Sequence, residues 1–191
     1  MIYIEVEQDS LRYAQQRLGK NSAQAPFAIC NAANQTATWA RRELLAAAQK
    51  RYTVSSGGFN KNATIKRASP STLTAIIRVK GATLMLPRFK TSAPKSGAKA
   101  AVLAGSGLQT LIYGVNIKAF KGSVTAGKSS AGAIMQRRGP SRLPVKVLHG
   151  PSVPKMVEMV YTGKSETGLK MKIEAMYQAK LDAQIRKVLY S

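Results

Sequence analysis

Acidic residues are scarce in this sequence, and its middle has none at all. Eight Asp and Glu stand against thirty Lys and Arg, for a net charge of +22. No acid occurs between Glu43 and Glu158, although nineteen Lys and Arg do. A section of this composition repels itself unless a polyanion or an acidic protein surface lies against it. We therefore expect nucleic acid or an acidic neighbour in an assembly as the partner; a highly soluble, solvated surface is the alternative.

The residues that usually carry chemistry are also few. Cys30 is the only cysteine and His149 the only histidine. The chain therefore cannot form an internal disulfide, and no His, Cys, Asp or Glu cluster has the spacing of metal ligands. Acid–base catalysis normally needs paired or perturbed carboxylates, which the sequence does not offer in any cleft motif. We predict no catalytic residue, no metal and no cofactor, and hence not an enzyme.

Long apolar runs are missing too. No run approaches the roughly 20 residues of a membrane span. The start, MIYIEVEQDS, has acids where a signal peptide has cations, which predicts a soluble intracellular product without membrane contact. The length of 191 residues suits one domain with an appended helix, here residues 1–160 and 161–191.

The pattern of apolar residues predicts an α+β fold. Residues 21–52 form the best helical segment of the N-terminal half, with Pro26 in its first turn. A C-terminal helix is expected from Glu166, and a short one begins near Ser152. Residues 73–79 alternate as a strand, and the turn at Lys80-Gly81-Ala82 predicts a hairpin with the strand that follows.

Two glycine-, serine- and lysine-rich segments, residues 90–107 and 120–132, are expected to be long mobile loops. Their cations are candidates for contact with acidic partners or DNA, although solvated loops are an equal alternative. These candidates are Lys90, Lys95, Lys99, Lys121 and Lys128.

One stretch matches a nucleotide-binding motif. Residues 122–129, GSVTAGKS, fit the G-x-x-x-x-G-K-[ST] pattern of phosphate-binding loops. That mechanism needs a helix to begin at the end of the pattern and a strand carboxylate to hold Mg²⁺. The following residues are a poor helix start, and no acid lies in this part of the chain. A loose anion-binding loop is the better interpretation.

The sequence has the positive charge that nucleic-acid binding needs, but it lacks the groups that read a base sequence. Aromatic residues make up only 6% of the chain, and no zinc-binding motif is present. Contact with the phosphate backbone without sequence reading remains open.

The stretch RRGPSRLPVKVLHGPSVPKMV resembles the signature of the phage minor tail protein Z family, the tail-completion proteins of the head–tail junction. Residues 28–44 are similar to that family's Ala/Asn-rich helix, and residues 64–89 to its hairpin. In order, the similarity covers roughly residues 20–160. The matching signature positions are Arg137, Arg138, Gly139, Arg142, Leu143, Pro144, Val145, Gly150, Pro151, Ser152, Val153 and Pro154.

The resemblance implies a helix packed on an antiparallel, barrel-like sheet, with variable basic loops. It also implies a virion protein of the neck or tail that is made in the host cytoplasm. We expect such a protein to form a homo-oligomeric ring of six subunits. The ring contacts other neck and tail proteins and lets DNA pass through its lumen. The interface candidates are Arg137, Arg138, Arg142 and the residues from Gly150 to Pro154. A rigid turn leading into a helix is the alternative for Gly150 to Pro154. A non-specific nucleic-acid-binding protein is the second hypothesis, and an NTPase the third.

Overall fold

The structure is a computed structural model that describes residues 2–4, 8–54, 59–114, 116–126, 129–162 and 167–190. The chain groups into two compact units. The first unit contains Met1–Ala46, Phe59–Lys80 and Val157–Ser191, and the second contains Ala47–Gly58 and Gly81–Met156. The C-terminal helix groups with the N-terminal helices in the first unit.

The predicted α+β class is confirmed, as are the long N-terminal-half helix and the C-terminal helix. The helices are α1 Gln8–Leu18, α2 Ala25–Arg51, α3 Phe59–Asn62, α4 Val153–Thr162 and α5 Thr167–Leu189. The strands are β1 Ile2–Ile4, β2 Ala63–Lys66, β3 Ala75–Val79, β4 Thr83–Met85, β5 Lys90–Ser92, β6 Lys99–Ala101, β7 Gln109–Thr110, β8 Ile112–Tyr113, β9 Ile117–Lys118, β10 Phe120–Ala126, β11 Ser129–Arg137, β12 Val145–Val147 and β13 His149–Ser152.

Helix α2 is long because its interior is rich in alanine, the best helix former. Its alanines at 28, 32, 33, 37 and 40 are buried, together with Ile29 and Leu44. Cys30 is buried among them, and burial raises the pKa of its thiol. A buried thiol with a raised pKa is a poor nucleophile, so Cys30 belongs to the core of this unit.

Two polar side chains of α2 bind the backbone of the segment around β2. The Asn34 side chain donates to the Ala68 carbonyl oxygen at 3.1 Å and accepts from the Ala68 N–H at 2.8 Å. Arg41 Nε donates to the Ala63 carbonyl oxygen at 2.8 Å. These bonds satisfy backbone groups that no strand partner reaches, and they fix α2 against this segment.

The sheet of the first unit has the order β1-β3-β2 and is antiparallel throughout. Ala75 and Ile77 of β3 are buried. The hairpin predicted between β3 and the next strand is wrong, because β3 pairs with β1 and β2 while β4 pairs with β13. Residues 80–82 have no turn, and the strand after them pairs with a partner that lies far along the chain.

Helix α5 buries one stripe, as its apolar spacing predicted. Ile173, Tyr177, Leu181 and Ile185 are buried at successive intervals of four residues. Asp182, on the same helix, accepts a hydrogen bond of 2.8 Å from the Tyr13 hydroxyl of α1. This bond joins the two helices within the first unit.

The second unit is made of short antiparallel pairs, and the two segments expected as mobile loops are strands instead. Residues 90–107 contain the pair β5 and β6, with Ala98, Ala100 and Ala101 buried. Residues 120–126 belong to β10 and residues 129–132 to β11, and the register of this pair runs from Phe120 opposite Met135 to Ala126 opposite Ser129. Small side chains let these backbones approach closely. Pairing between the strands therefore outweighs the weak strand propensity of the individual residues.

The described strands form five small sheets of two or three strands each, and none of them closes into a barrel. The barrel-like sheet that the family resemblance implied is therefore wrong for this chain. Closing a barrel requires continuous pairing around a ring of tilted strands. Here many strands are only two or three residues long, and glycines in the left-handed region, such as Gly114 at φ +59, end them.

Tyr177 provides a test of the packing around α5. Burial raises the pKa of its phenol to about 12, and the Ser10 side chain lowers it slightly without making a hydrogen bond of ordinary geometry to the hydroxyl. The neutral phenol therefore stabilises the fold below pH about 10, and this contribution is lost as the pH rises towards 12.

We expect the free energy of unfolding of the natural chain to fall more steeply over this pH interval than that of Tyr177→Phe. Denaturant unfolding of both proteins at a series of pH values measures it. The other tyrosines and the lysines titrate in both proteins and cancel in the comparison. Parallel pH profiles would contradict the buried, neutral phenol.

Candidate functional site

A groove with a uniformly basic lining lies in the second unit. It has a volume of about 570 Å³ and is lined by the turn between β5 and β6, by β9 and the start of β10, and by residues at and after the end of β11. We call it the basic groove. None of its lining residues is acidic. Its cations are Lys95, Lys118, Lys121 and Arg137.

Strand pairing brings these cations together from distant parts of the chain. Gln136, which is buried, donates from Nε2 to the Ile117 carbonyl oxygen at 2.8 Å and joins β11 to β9. The Ala98 N–H donates to the Ala119 carbonyl oxygen at 2.7 Å, which brings the turn before β6 next to the start of β10. The shape of the basic groove is therefore stabilised by hydrogen bonds to backbone carbonyl oxygens, and not by its charged side chains.

A glycine and an aromatic ring position two of the cations. A Cβ at Gly97, where φ is +128, would lie 3.0 Å from Lys118 Cδ, so glycine lets the Lys118 stem lie along the turn. The Arg137 guanidinium carbon lies 5.4 Å from the centroid of the Phe120 ring, a cation–π contact. Arg137 Nε is buried without a hydrogen-bond partner. An aromatic face thus orients Arg137, which leaves its charge uncompensated by any lining acid.

Four cations without a lining acid make a site for an anion with several charges. Like charges that line one groove repel one another, and an anion that binds among them reduces this repulsion. The groove holds no base-reading arrangement, so a phosphate backbone or a cluster of carboxylates fits it equally by charge.

The predicted cations separate into three groups. Lys95, Lys121 and Arg137 meet in the basic groove. Lys90 is exposed on β5 and Lys99 is half-buried on β6, and neither lines it. Lys128 lies outside the described residues. Lys118 was missed by the sequence reasoning, because that reasoning considered only the cations of the two glycine-, serine- and lysine-rich segments. It lies three residues before Lys121, and the sheets bring Lys95 and Arg137 to both.

The connection between β11 and β12, residues 138–144, projects into solvent. Arg138 and Arg142 are exposed, and Leu143 is 69% exposed. The Arg138 N–H donates to the Pro144 carbonyl oxygen at 3.3 Å, and the Leu143–Pro144 peptide bond is cis. A single exposed leucine is common on protein surfaces, so the connection is a candidate interface because of its resemblance to the family signature and not because of Leu143 alone.

The Gly150 to Pro154 segment has a structural role of its own. Strand β13 pairs with β4, from His149 opposite Met85 to Ser152 opposite Thr83. Ser152 Oγ accepts from the Lys155 N–H at 3.3 Å and caps α4, as the sequence predicted. Val153 is buried. A Cβ on Gly150 would lie 2.5 Å from Phe89 Cε2, so only glycine fits at that position.

The phosphate-loop pattern is not built as that chemistry requires. Gly122 lies in β10 and Ser129 begins β11, so the pattern spans two antiparallel strands instead of leading into a helix. Without a helix N-terminus its backbone N–H groups do not converge on a phosphate.

Metal-binding clusters and membrane-spanning helices are absent among the described residues. No three His, Cys, Asp or Glu side chains in this part of the chain come together as metal ligands. His149 is exposed, with Nδ1 3.2 Å from the Val147 carbonyl oxygen. No helix in the described ranges is both long and apolar enough to cross a bilayer.

Comparison of the chain with protein-family models, with curated proteins and with solved structures finds no match.

The close approach at Gly150 gives a prediction with a matched control. We expect Gly150→Ala to lower the free energy of unfolding by about 1–3 kcal/mol, because the buried Phe89 ring must move. Gly139→Ala changes the same atoms in the same signature but meets nothing within 4 Å. Thermal or denaturant unfolding of both variants measures the difference. Equal stabilities would contradict the close approach.

The basic groove gives a second prediction. We expect the double variant Lys95→Gln, Lys121→Gln to bind heparin or duplex DNA more weakly. The slope of log affinity against log salt should also fall, by roughly 0.9 for each phosphate that the variant no longer neutralises. The control Lys50→Gln, Lys61→Gln removes the same charge from exposed positions outside the basic groove. If both double variants show the same decrease in affinity and slope, the groove is not the anion site.

Proposed function

We propose that this chain is a virion structural protein of a phage neck, which completes the tail at the head–tail junction as one subunit of a homo-oligomeric ring. Its function is assembly and the passage of DNA, without a catalytic step. The observation that carries this proposal is the exposed connection at residues 138–144, where the residues that resemble the family signature place Leu143 and two arginines in solvent. The same proposal has three further parts. The ring is sixfold, it contacts other neck and tail proteins, and it is located in the virion.

The distribution of charge between the two units supports an assembly. All eight acids fall in the residue ranges of the first unit, which has a net charge of +8. The second unit has none and a net charge of +14, so its whole charge requires a partner outside it. The second unit's cations are Lys50, Arg51, Arg88, Lys90, Lys95, Lys99, Lys118, Lys121, Lys128, Arg137, Arg138, Arg142, Lys146 and Lys155.

A head-to-tail ring needs two different complementary patches on each subunit. The exposed connection offers an apolar and basic patch, and the acids of the sequence lie only in the residue ranges of the first unit. Glu174, whose ion pair with Lys170 at 3.9 Å is exposed, is one of these acids. In this arrangement Arg142 and Arg138 select the neighbour by charge, and burial of Leu143 stabilises the contact. The basic groove remains for DNA in the lumen or for an acidic neighbouring protein.

The second candidate, a non-specific nucleic-acid-binding protein, is favoured by the basic groove. Its affinity for DNA should fall steeply with salt, as for any phosphate-contacting protein. Self-association depends less on salt than DNA binding does. Salt screens the repulsion between subunits of net charge +22, which favours the apolar contact through Leu143, but it also weakens the attraction of Arg138 and Arg142 to acids of the neighbour.

We expect Leu143→Ser to abolish self-association, because it removes the exposed apolar group of the connection. Sedimentation velocity at low and moderate salt measures the association state. Leu108→Ser is the matched control, since Leu108 is also exposed, at 40%, but lies outside the connection. Oligomers of Leu143→Ser as stable as those of the natural chain would contradict an interface at the connection.

A further inference from the structure

The first unit has a second groove with a basic lining, separate from the basic groove of the second unit. It has a volume of about 700 Å³ and is lined by one face of α2, by Arg67 after β2, and by Met176 and Lys180 of α5. We call it the tryptophan groove, because Trp39 lines it. The cations of its lining are Arg41, Arg42, Arg67 and Lys180, and the lining contains no acid.

Helical spacing places the groove's polar side chains in two rows along α2. Asn31, Gln35 and Trp39 follow one another at intervals of four residues, as do Asn34, Thr38 and Arg42, so each set lies on one side of the helix. Part of this lining is already engaged. Asn34 binds the Ala68 backbone, Thr38 Oγ1 donates to the Asn34 carbonyl oxygen at 2.9 Å, and Arg41 Nε binds Ala63. These bonds fix the position of the groove's wall.

The remaining lining residues offer a ligand three kinds of group: an indole, amides and cations. Trp39 is partly buried, and Asn31 and Gln35 are exposed amides one helical turn apart. Arg67 is exposed, and Arg42 makes an exposed ion pair of 3.6 Å with Glu43. Such an exposed ion pair has little energy, so Arg42 is readily drawn to a stronger anion.

We propose that the tryptophan groove binds a short segment of single-stranded DNA, with one base stacked on Trp39 and the adjoining phosphates on Arg67, Arg42 and Lys180. An indole face is a stacking platform for any base, and guanidinium groups bind phosphate by paired hydrogen bonds. The amides of Asn31 and Gln35 each offer a donor and an acceptor, which the edge of a base matches.

A single strand fits better than a duplex or an acidic peptide. Trp39 is half-buried in the wall, so it reaches the face of a base only where that base is unstacked from a partner strand. An acidic peptide would also use the cations and could bond to the two amides, but its carboxylates do not stack on an indole as the face of a base does. This inference does not rest on the proposed ring, since it concerns residues of the first unit alone.

Trp39 is the only tryptophan of the chain, so its fluorescence reports on this groove alone. Titration with oligothymidylate should quench the emission of Trp39 saturably. An abasic oligomer with the same number of phosphates should quench it several-fold less, because only a base stacks on the indole. The variant Lys95→Gln, Lys121→Gln of the basic groove should keep the quenching.

Variants distinguish binding in the tryptophan groove from non-specific attraction to the positive charge of the protein. Arg67→Gln should weaken binding several-fold, whereas Arg12→Gln, the same change at an exposed site outside the groove, should not. Trp39→Ala, followed by fluorescence anisotropy of a labelled oligonucleotide, should bind about tenfold more weakly, and Trp39→Phe should lose less because a phenyl ring still stacks on a base. Circular dichroism of each variant checks that it is folded.

Three results would overturn the inference. Oligothymidylate could bind without changing the Trp39 emission, the abasic oligomer could quench as strongly, or an oligoglutamate peptide of equal charge could quench more strongly. The last result would show that the groove takes acidic peptides. None of these results bears on self-association through Leu143, so failure here is distinguishable from failure of the proposed ring.

Discussion

The absence of acids from an entire compact unit is the constraint on which the rest of this structure depends. The second unit has a net charge of +14 and no carboxylate to form an ion pair within it. Its fold must therefore rely on backbone pairing, buried alanines and single polar bonds such as that of Gln136 to Ile117. Its charge is left available for a partner, and the basic groove and the exposed connection are the places where that charge collects.

The signature that resembles tail-completion proteins has two physical roles in this chain. Its second half, from Gly150 to Val153, is fixed by Phe89, by β4 and by the cap of α4, so those residues serve the fold itself. Its first half ends β11 at Arg137 and continues into the exposed connection with Arg142 and Leu143. In the proposed ring, a tip whose neighbouring segment is already fixed would bind at a smaller cost in conformational entropy.

The helices could be predicted from the sequence because their signals are local. Alanine content, apolar spacing and the Ser152 cap each act within a few residues. The sheets could not be predicted in this way. The pairing of β4 with β13 and that of β10 with β11 depend on partners that local strand propensity does not reveal. The candidate site followed the same rule: charge gave Lys95 and Lys121 and the family resemblance gave Arg137, but only the pairing of the strands brings Lys95 and Arg137 to Lys118 and Lys121. The tryptophan groove was missed for a similar reason, as Arg67 and Lys180 reach α2 from distant segments.

The most direct test of this account is the mass of the purified chain by light scattering, alone and with an excess of short duplex DNA, at low and moderate salt. The account predicts a ring-sized species at moderate salt, with or without DNA, because screening lets subunits of net charge +22 associate. A chain that stays monomeric at every salt concentration, and coats DNA tightly until salt removes it, would contradict the ring. The charge of the second unit would then serve nucleic-acid binding alone.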